Sequence, residues 1–201
     1  DIRGEKIEVQ SCKSELAVED IGYVRVTSFN AYVDNFNKDN ASEINKGHVK
    51  PMEHSSVDFI EQASGIQTRY VIDKKGILNP KKMMPSLNNE DESLMSVHAE
   101  KGLIAAKKAI EQAEISVNDI DAVIVGSSHA ARNYPAIAIE IQNELGINGY
   151  AYDMLVGCSS TTFAINNAFS DIASGLANTI LVVNPEISTP ACNFTERDKH
   201  F

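Results

Sequence analysis

Ala122 to Ser127, AVIVGS, is a continuous apolar run bounded by turn residues. A strand with no polar alternation is one buried on both faces, which is the situation in a parallel sheet covered by helices. Parallel neighbours require long crossovers, usually helical, and the chain offers these on both sides of the run. Ser93 to Glu114 carries Met95, Ala99, Gly102, Leu103, Ala106, Ala109, Ile110 and Ala113 as one stripe, so a long helix is expected there. After the run, Pro135 is placed at a helix start and Ala136 to Leu145 as the helix, stopped by Gly146. Tyr150 to Val156 alternates as a strand, and Phe163, Ala164, Ala168, Ile172 and Ala173 recur at helical spacing up to Gly175. Thr179 to Val183, TILVV, closes the series as another buried strand. Strand and helix alternating in this way imply an α/β fold with a mixed or parallel sheet and helices on both faces.

Ahead of this series the pattern is looser. Residues 1–20 are polar and read as an extension, and Ile21 to Phe29 as a strand. Asn30 to Pro51 is rich in Asn, Asp and Lys and reads as loop, with a short helix as the alternative. Ser56 to Ala63 is expected to be a helix ended by Gly65, followed by a strand over Gln67 to Ile72. Lys74 to Asn89 contains two prolines and a glycine and reads as loop, with Lys81 and Lys82 as a solvated pair. His48 and His54 lie in polar loop without a ligand cluster around them and are expected to be solvated.

The chemistry is expected at Cys158, in the tight turn after the Tyr150 strand and so at the first turn of the helix that follows. Helix N-termini present free backbone N–H groups and a positive dipole end. A thiolate is favoured there, and the same amides can hold an oxyanion. This is the strand, turn, nucleophile, helix layout of a nucleophile elbow with cysteine in place of serine. The competing reading is a small buried hydrophobe, the usual fate of a free cysteine, with Ser159, Ser160, Thr161 and Thr162 serving only as capping residues. In open α/β sheets ligands collect beyond the carboxyl ends of the strands. Cys158, His129 and the Pro185 to Thr189 stretch all follow strand ends.

Composition narrows the partners. A formal net charge of -10 argues against nucleic acid. No run is long enough to span a bilayer. The three cysteines, Cys12, Cys158 and Cys192, are widely spaced, which suggests neither a disulfide framework nor a zinc site but a reducing, cytoplasmic setting.

Taken in order, SGIQTRYVI, DIDAVIVGSSH after the alanine-rich helix, NYPAIAIEIQNELGI, YAYDMLVGCSSTTFAI, ANTILVVNPEIST and TERD resemble the thiolase-fold condensing enzymes, and among them the β-ketoacyl-acyl-carrier-protein synthase III group. The resemblance covers residues 21–201 and implies the first of that fold's two mirrored halves. By it, Cys158 is the catalytic nucleophile. It takes an acyl group from acyl-CoA, and the acyl-enzyme is then attacked by a carbanion formed by decarboxylating malonyl-acyl-carrier-protein or malonyl-CoA. Phe59 corresponds to an aromatic over the CoA adenine, and Arg197 to an arginine on the CoA nucleotide. Tyr134 corresponds to an aromatic lining the acyl pocket across a homodimer interface. Acyl-CoA enters as substrate, and no cofactor or metal is implied.

The chain departs from the family pattern in several places. Ser159, Ser160 and Thr161 replace the usual Ala-Gly-Phe after the nucleophile, and Ala63 replaces an arginine near the CoA site. The family's catalytic His and Asn come from the second half, and neither His129 nor His200 matches them. Two alternatives stand beside condensation. One is acyl transfer or hydrolysis through Cys158 without carbon–carbon bond formation. The other is a non-catalytic partner subunit in which Cys158 only packs.

Overall fold

The computed structural model of the chain describes residues 22–25, 34–51, 53–54, 56–77, 79, 82, 85–87, 91, 93–130 and 132–188. These fall into two compact units, residues 87–186 and residues 22–86 with 187–188.

The larger unit is built on β3 (Ala122–Ser127), β4 (Tyr150–Leu155) and β5 (Ile180–Val183), all parallel, in the order β4-β3-β5. The AVIVGS run is the central strand, and every residue of it is buried. Asp121 sets the register at its entry. Its backbone N–H donates to Thr179 O at 2.9 Å, and its carboxylate accepts the amides of Asn178 at 2.6 Å and Thr179 at 3.1 Å. Those amides hold the Asp121 carboxyl below the usual carboxylate range.

Each face of the sheet has its own helical cover. On one face, α5 (Val97–Ala113) and α6 (Ile137–Leu145) pack Ala99, Leu103, Ala106, Ile110, Ile137, Ala138 and Ile141 against Val123, Val125, Leu181 and Val183. On the other, α7 (Ser160–Ala173) sets Ala164 and Ala168 against Ile124, with Tyr152, Met154, Ile180 and Val182 around them. The buried arc of α7 is narrow: Phe163, Ile165 and Phe169 remain 49%, 43% and 49% exposed. The doubly covered parallel arrangement expected from the alternation is therefore present.

Two helix starts differ from expectation. α5 starts at Val97 because Ser96 caps it, its hydroxyl accepting Ala99 N–H at 3.3 Å. Ser93 instead closes a turn on Asp91, with contacts of 3.0 and 2.6 Å from its amide and hydroxyl. Met95 thus precedes the helix while still packing on its core. α6 starts at Ile137, so Pro135 stands before the Ala136 cap rather than in the first turn. The cap side chain makes no hydrogen bond; Asp153 of β4 does the work, accepting Ile137 and Ala138 N–H at 2.8 Å each.

The smaller unit contains β1 (Gly22–Arg25) and β2 (Thr68–Val71), paired antiparallel, with α3 (Val57–Ser64) between them in sequence. Ser56 caps α3 through Phe59 N–H at 3.0 Å, and Gly65 ends it in the left-handed region, as expected. The polar stretch expected as loop is largely helical, forming α1 (34–39) and α2 (Ala41–Asn45). Asn40 donates its side-chain amide to Phe36 O at 2.9 Å at the junction, and Phe36 is the buried anchor. Lys74–Ile77 likewise forms a one-turn helix, α4, inside the stretch expected as loop. Asp73 caps it through Gly76 N–H and also accepts Ser86 N–H, each at 3.0 Å. His48 and His54 are exposed beside Glu43 and Asp34, at 3.1 and 2.6 Å. Lys82 is exposed and donates to Ser86 Oγ; Lys81, Cys12, Cys192 and the 1–20 extension lie outside the described residues.

Candidate active site

Cys158 is exposed, in a single 3-10 turn (Gly157–Ser159) between the end of β4 and the start of α7. Gly157 opens the turn at φ +57°, the left-handed region that a side chain disfavours. The turn bends the chain sharply at the sheet's carboxyl edge and delivers Cys158 one residue before the helix cap, Ser159. The expected layout is present, with the nucleophile candidate in the turn leading into α7 rather than in its first helical turn. Among the described residues, Cys158 is not covered by the core.

Ser160 is 2% exposed beneath the turn. Its hydroxyl accepts Val156 N–H at 2.8 Å and lies 2.7 Å from Ser127 O and 2.8 Å from Gly157 O. Gly126 leaves room for this approach, since a Cβ there would fall 2.9 Å from Ser160 O and 2.6 Å from Asn184 Oδ1. The exits of β3 and β5 are joined by Glu186. Its carboxylate accepts Ser128 N–H at 2.8 Å, with Ser127 Oγ at 3.4 Å and His129 Nδ1 at 3.6 Å.

The Tyr134 loop is held from two sides. Arg132 donates to Asp91 O at 3.1 Å, to Leu94 O at 2.9 Å and to Glu140 Oε1 at 2.5 Å, the pair being 10% and 6% exposed. Glu140 also accepts Ser96 N–H at 2.8 Å and Ser96 O–H at 2.7 Å. On the other side is the Asp153 cap of α6. Tyr134 itself is 78% exposed. Phe59 is half-buried on α3 in the smaller unit, and Arg197 lies outside the described residues. Of the sequence-picked residues, Cys158 and Tyr134 share a unit. Ser160, Glu186, Arg132, Glu140 and Asp153 were not picked. Charged residues inside apolar elements, Glu140 among Ile137 and Ile141 and Asp153 in a strand, were the signals available for two of them.

His98 is 2% exposed on α5, neither ring nitrogen has a hydrogen-bond partner among the described residues, and its ring meets that of His129 edge-on at 4.9 Å. Burial, and then the neighbouring His129, hold its pKa below the ordinary value, while Glu186 and Glu140 pull the other way. The unfolded chain therefore takes up this proton first on acidification. Stability contributed by neutral His98 is complete above the unfolded pKa of about 6.5 and is lost as pH falls below it. His98→Leu is expected to flatten the fall in urea midpoint between about pH 7 and 5. It should also stabilise by about 1 kcal/mol at pH 7, because buried unpaired nitrogens are removed. An unchanged pH slope would refute this.

A parallel sheet with helices on both faces, and a cysteine presented in the turn between a strand end and the next helix, make an α/β protein of the nucleophile-elbow kind. The chain belongs to the thiolase family, whose "Thiolase, N-terminal domain" model matches residues 83–196. It is 48% identical over 174 residues to the β-ketodecanoyl-[acyl-carrier-protein] synthase of Pseudomonas aeruginosa, covering 87% of this chain and 50% of that one. With the β-ketoacyl-[acyl-carrier-protein] synthase III of Brucella anthropi it shares 33% over 144 residues, covering 71% and 38%. The fold matches the crystal structure of β-ketoacyl-[acyl carrier protein] synthase III from Thermus thermophilus with a TM-score of 0.62 at 21% identity, over 89% of this chain and 43% of that one. The chain thus spans half or less of the length of these relatives. Among the described residues, no helix is long and apolar enough to cross a membrane.

Proposed function

We propose that this chain is the nucleophile-bearing half of a decarboxylating condensing enzyme of the β-ketoacyl-acyl-carrier-protein synthase III type, working in the cytoplasm. The observation that carries this reading is Cys158, exposed in the turn between β4 and α7 in a chain of this family. The Cys158 thiolate attacks the carbonyl carbon of an acyl-CoA. The Cys158 backbone N–H serves as one donor to the oxyanion, and CoA leaves as its thiol after taking a proton. A malonyl thioester then loses CO₂, and the carbanion left behind attacks the acyl-cysteine carbonyl. The new carbon–carbon bond forms as the carbon–sulfur bond breaks, returning the thiolate. Charge building on the malonyl thioester oxygen needs further donors, the His and Asn that the resemblance assigns to the second half. Losing one such donor typically costs about 3 kcal/mol.

The P. aeruginosa relative is named for a β-ketodecanoyl product. Two of that product's ten carbons come from malonate, so the acyl group accepted has eight. We carry this over as the preferred donor, octanoyl-CoA. Phe59 and Arg197 are assigned to the CoA nucleotide. Tyr134, exposed on a doubly anchored loop, is assigned to the acyl pocket of the second protomer of a homodimer. The test is mass spectrometry after incubation with acetyl-, octanoyl- and palmitoyl-CoA. The expected result is an octanoyl adduct on the peptide containing Cys158, formed faster than the other two. No adduct from any donor would sink the proposal.

A further inference from the structure

One oxygen ties down both ends of the turn that carries Cys158. The Ser160 hydroxyl accepts Val156 N–H at 2.8 Å at the exit of β4. It also lies within donating distance of Gly157 O at 2.8 Å, inside the turn, and of Ser127 O at 2.7 Å, at the exit of β3. A serine hydroxyl has one hydrogen to give and two lone pairs to receive with. Its single hydrogen therefore serves one carbonyl at a time, and either choice closes a ring around Cys158. If it goes to Ser127 O, the turn is fastened to the central strand. If it goes to Gly157 O, the turn is fastened to itself. Ser160 is 2% exposed, so water cannot replace these bonds in the closed structure. This residue stands where the family's usual run has glycine, which has no side chain to do this.

We infer that Ser160 is a positioning residue for the acyl-transfer step: its hydroxyl bridges Val156, Gly157 and Ser127 and thereby fixes the direction in which the Cys158 sulfur and backbone N–H face an incoming thioester. Ser160 touches neither substrate nor reacting atom and acts through the backbone of residues 156–159. The inference rests on the acyl-transfer reading of Cys158 for its kinetic consequence, and on geometry alone for its structural one. Attack on a carbonyl needs sulfur, carbon and oxyanion donor aligned together, and an error near 1 Å costs about 100-fold in rate. Simple alkylation of an exposed thiol makes no such demand.

The experiment compares the parent with Ser160→Ala, and with Ser160→Gly should the alanine variant fail to fold. Single-turnover acylation by octanoyl-CoA, hydrogen exchange over residues 156–159 and alkylation by iodoacetamide are followed in each. The expected result is an acylation rate constant lowered about 10- to 100-fold, with full final labelling and a half-saturating octanoyl-CoA concentration within about twofold. Exchange at Val156 should be faster by about tenfold, as expected when an N–H loses its acceptor. Alkylation should stay within about threefold, because the thiol remains accessible. A parental rate constant in the labelled fraction overturns the inference, as does a fall in alkylation parallel to acylation. If the parent itself forms no adduct, the functional proposal has failed. The exchange measurement then decides the tie by itself, and unchanged protection at Val156 refutes it.

Discussion

On the function proposed above, Cys158→Ala will remove covalent acylation by acyl-CoA and lower turnover by more than about 10⁴-fold, while leaving the chain folded. The two halves of this result rest on different observations. The chemical half follows because a nucleophile that forms the covalent intermediate has no substitute in an alanine methyl group. Knocking out such a residue in covalent hydrolases costs factors of about 10⁶. The structural half follows because Cys158 is exposed, so the substitution removes no core contact. Substitutions at exposed positions of this kind fall within about 0.5 kcal/mol of neutral. A purely packing cysteine would give the reverse pattern, with measurable destabilisation and no adduct to lose. Intact-mass measurement with octanoyl-CoA and urea denaturation of the same preparations separate the two, and persistent labelling in Cys158→Ala would move the nucleophile elsewhere.

Arg132→Ala will destabilise the larger unit by about 3–5 kcal/mol, the usual range for breaking a buried ion pair from one side. The arginine and Glu140 are only 10% and 6% exposed. Removing the guanidinium leaves the Glu140 carboxylate with Ser96 as its partner and no counter-charge. It also frees two backbone carbonyls, those of Asp91 and Leu94. A net loss of this size is a large fraction of a domain's total stability. The double variant Arg132→Met, Glu140→Gln should recover part of the loss, because no uncompensated charge is then buried. Urea midpoints of the three proteins test this, and a loss below about 1 kcal/mol in Arg132→Ala would show that the pair is not the clamp described. Tyr134 lies two residues further along the same loop, so, with Tyr134 in the acyl-pocket role proposed above, the acyl-chain preference should blur in the single variant as well.

How much of this was legible beforehand depends on the range of the interaction. AVIVGS announced β3 because a strand buried on both faces has to be apolar throughout. The turn at Cys158 was legible because Gly157 and the helical spacing after it are local signals. The stretch over α1 and α2 was only partly legible, as loop with room for one short helix, since its polar composition favours loops, while the feature that holds it, Phe36 in a buried position, is one residue. Ser160 could not be seen as a tie because Ser127 is 33 residues away in the chain and meets it only after the sheet has formed. The same applies to Asp153 capping α6 and to Glu186 joining two strand exits, at separations of 15 and 58 residues. Pairings made across a sheet leave no periodic trace, and charged residues in apolar segments are the nearest thing to one.

The narrow buried arc of α7 has a consequence for how this cysteine behaves. The helix that begins two residues after it is gripped on one side by the sheet, while Phe163, Ile165 and Phe169 face outward. Any body that covers those three apolar side chains only in the native state stabilises α7 by mass action, in proportion to the logarithm of its concentration. The thiol's working geometry is then a shared property, tightening as the cover arrives and slackening as it leaves.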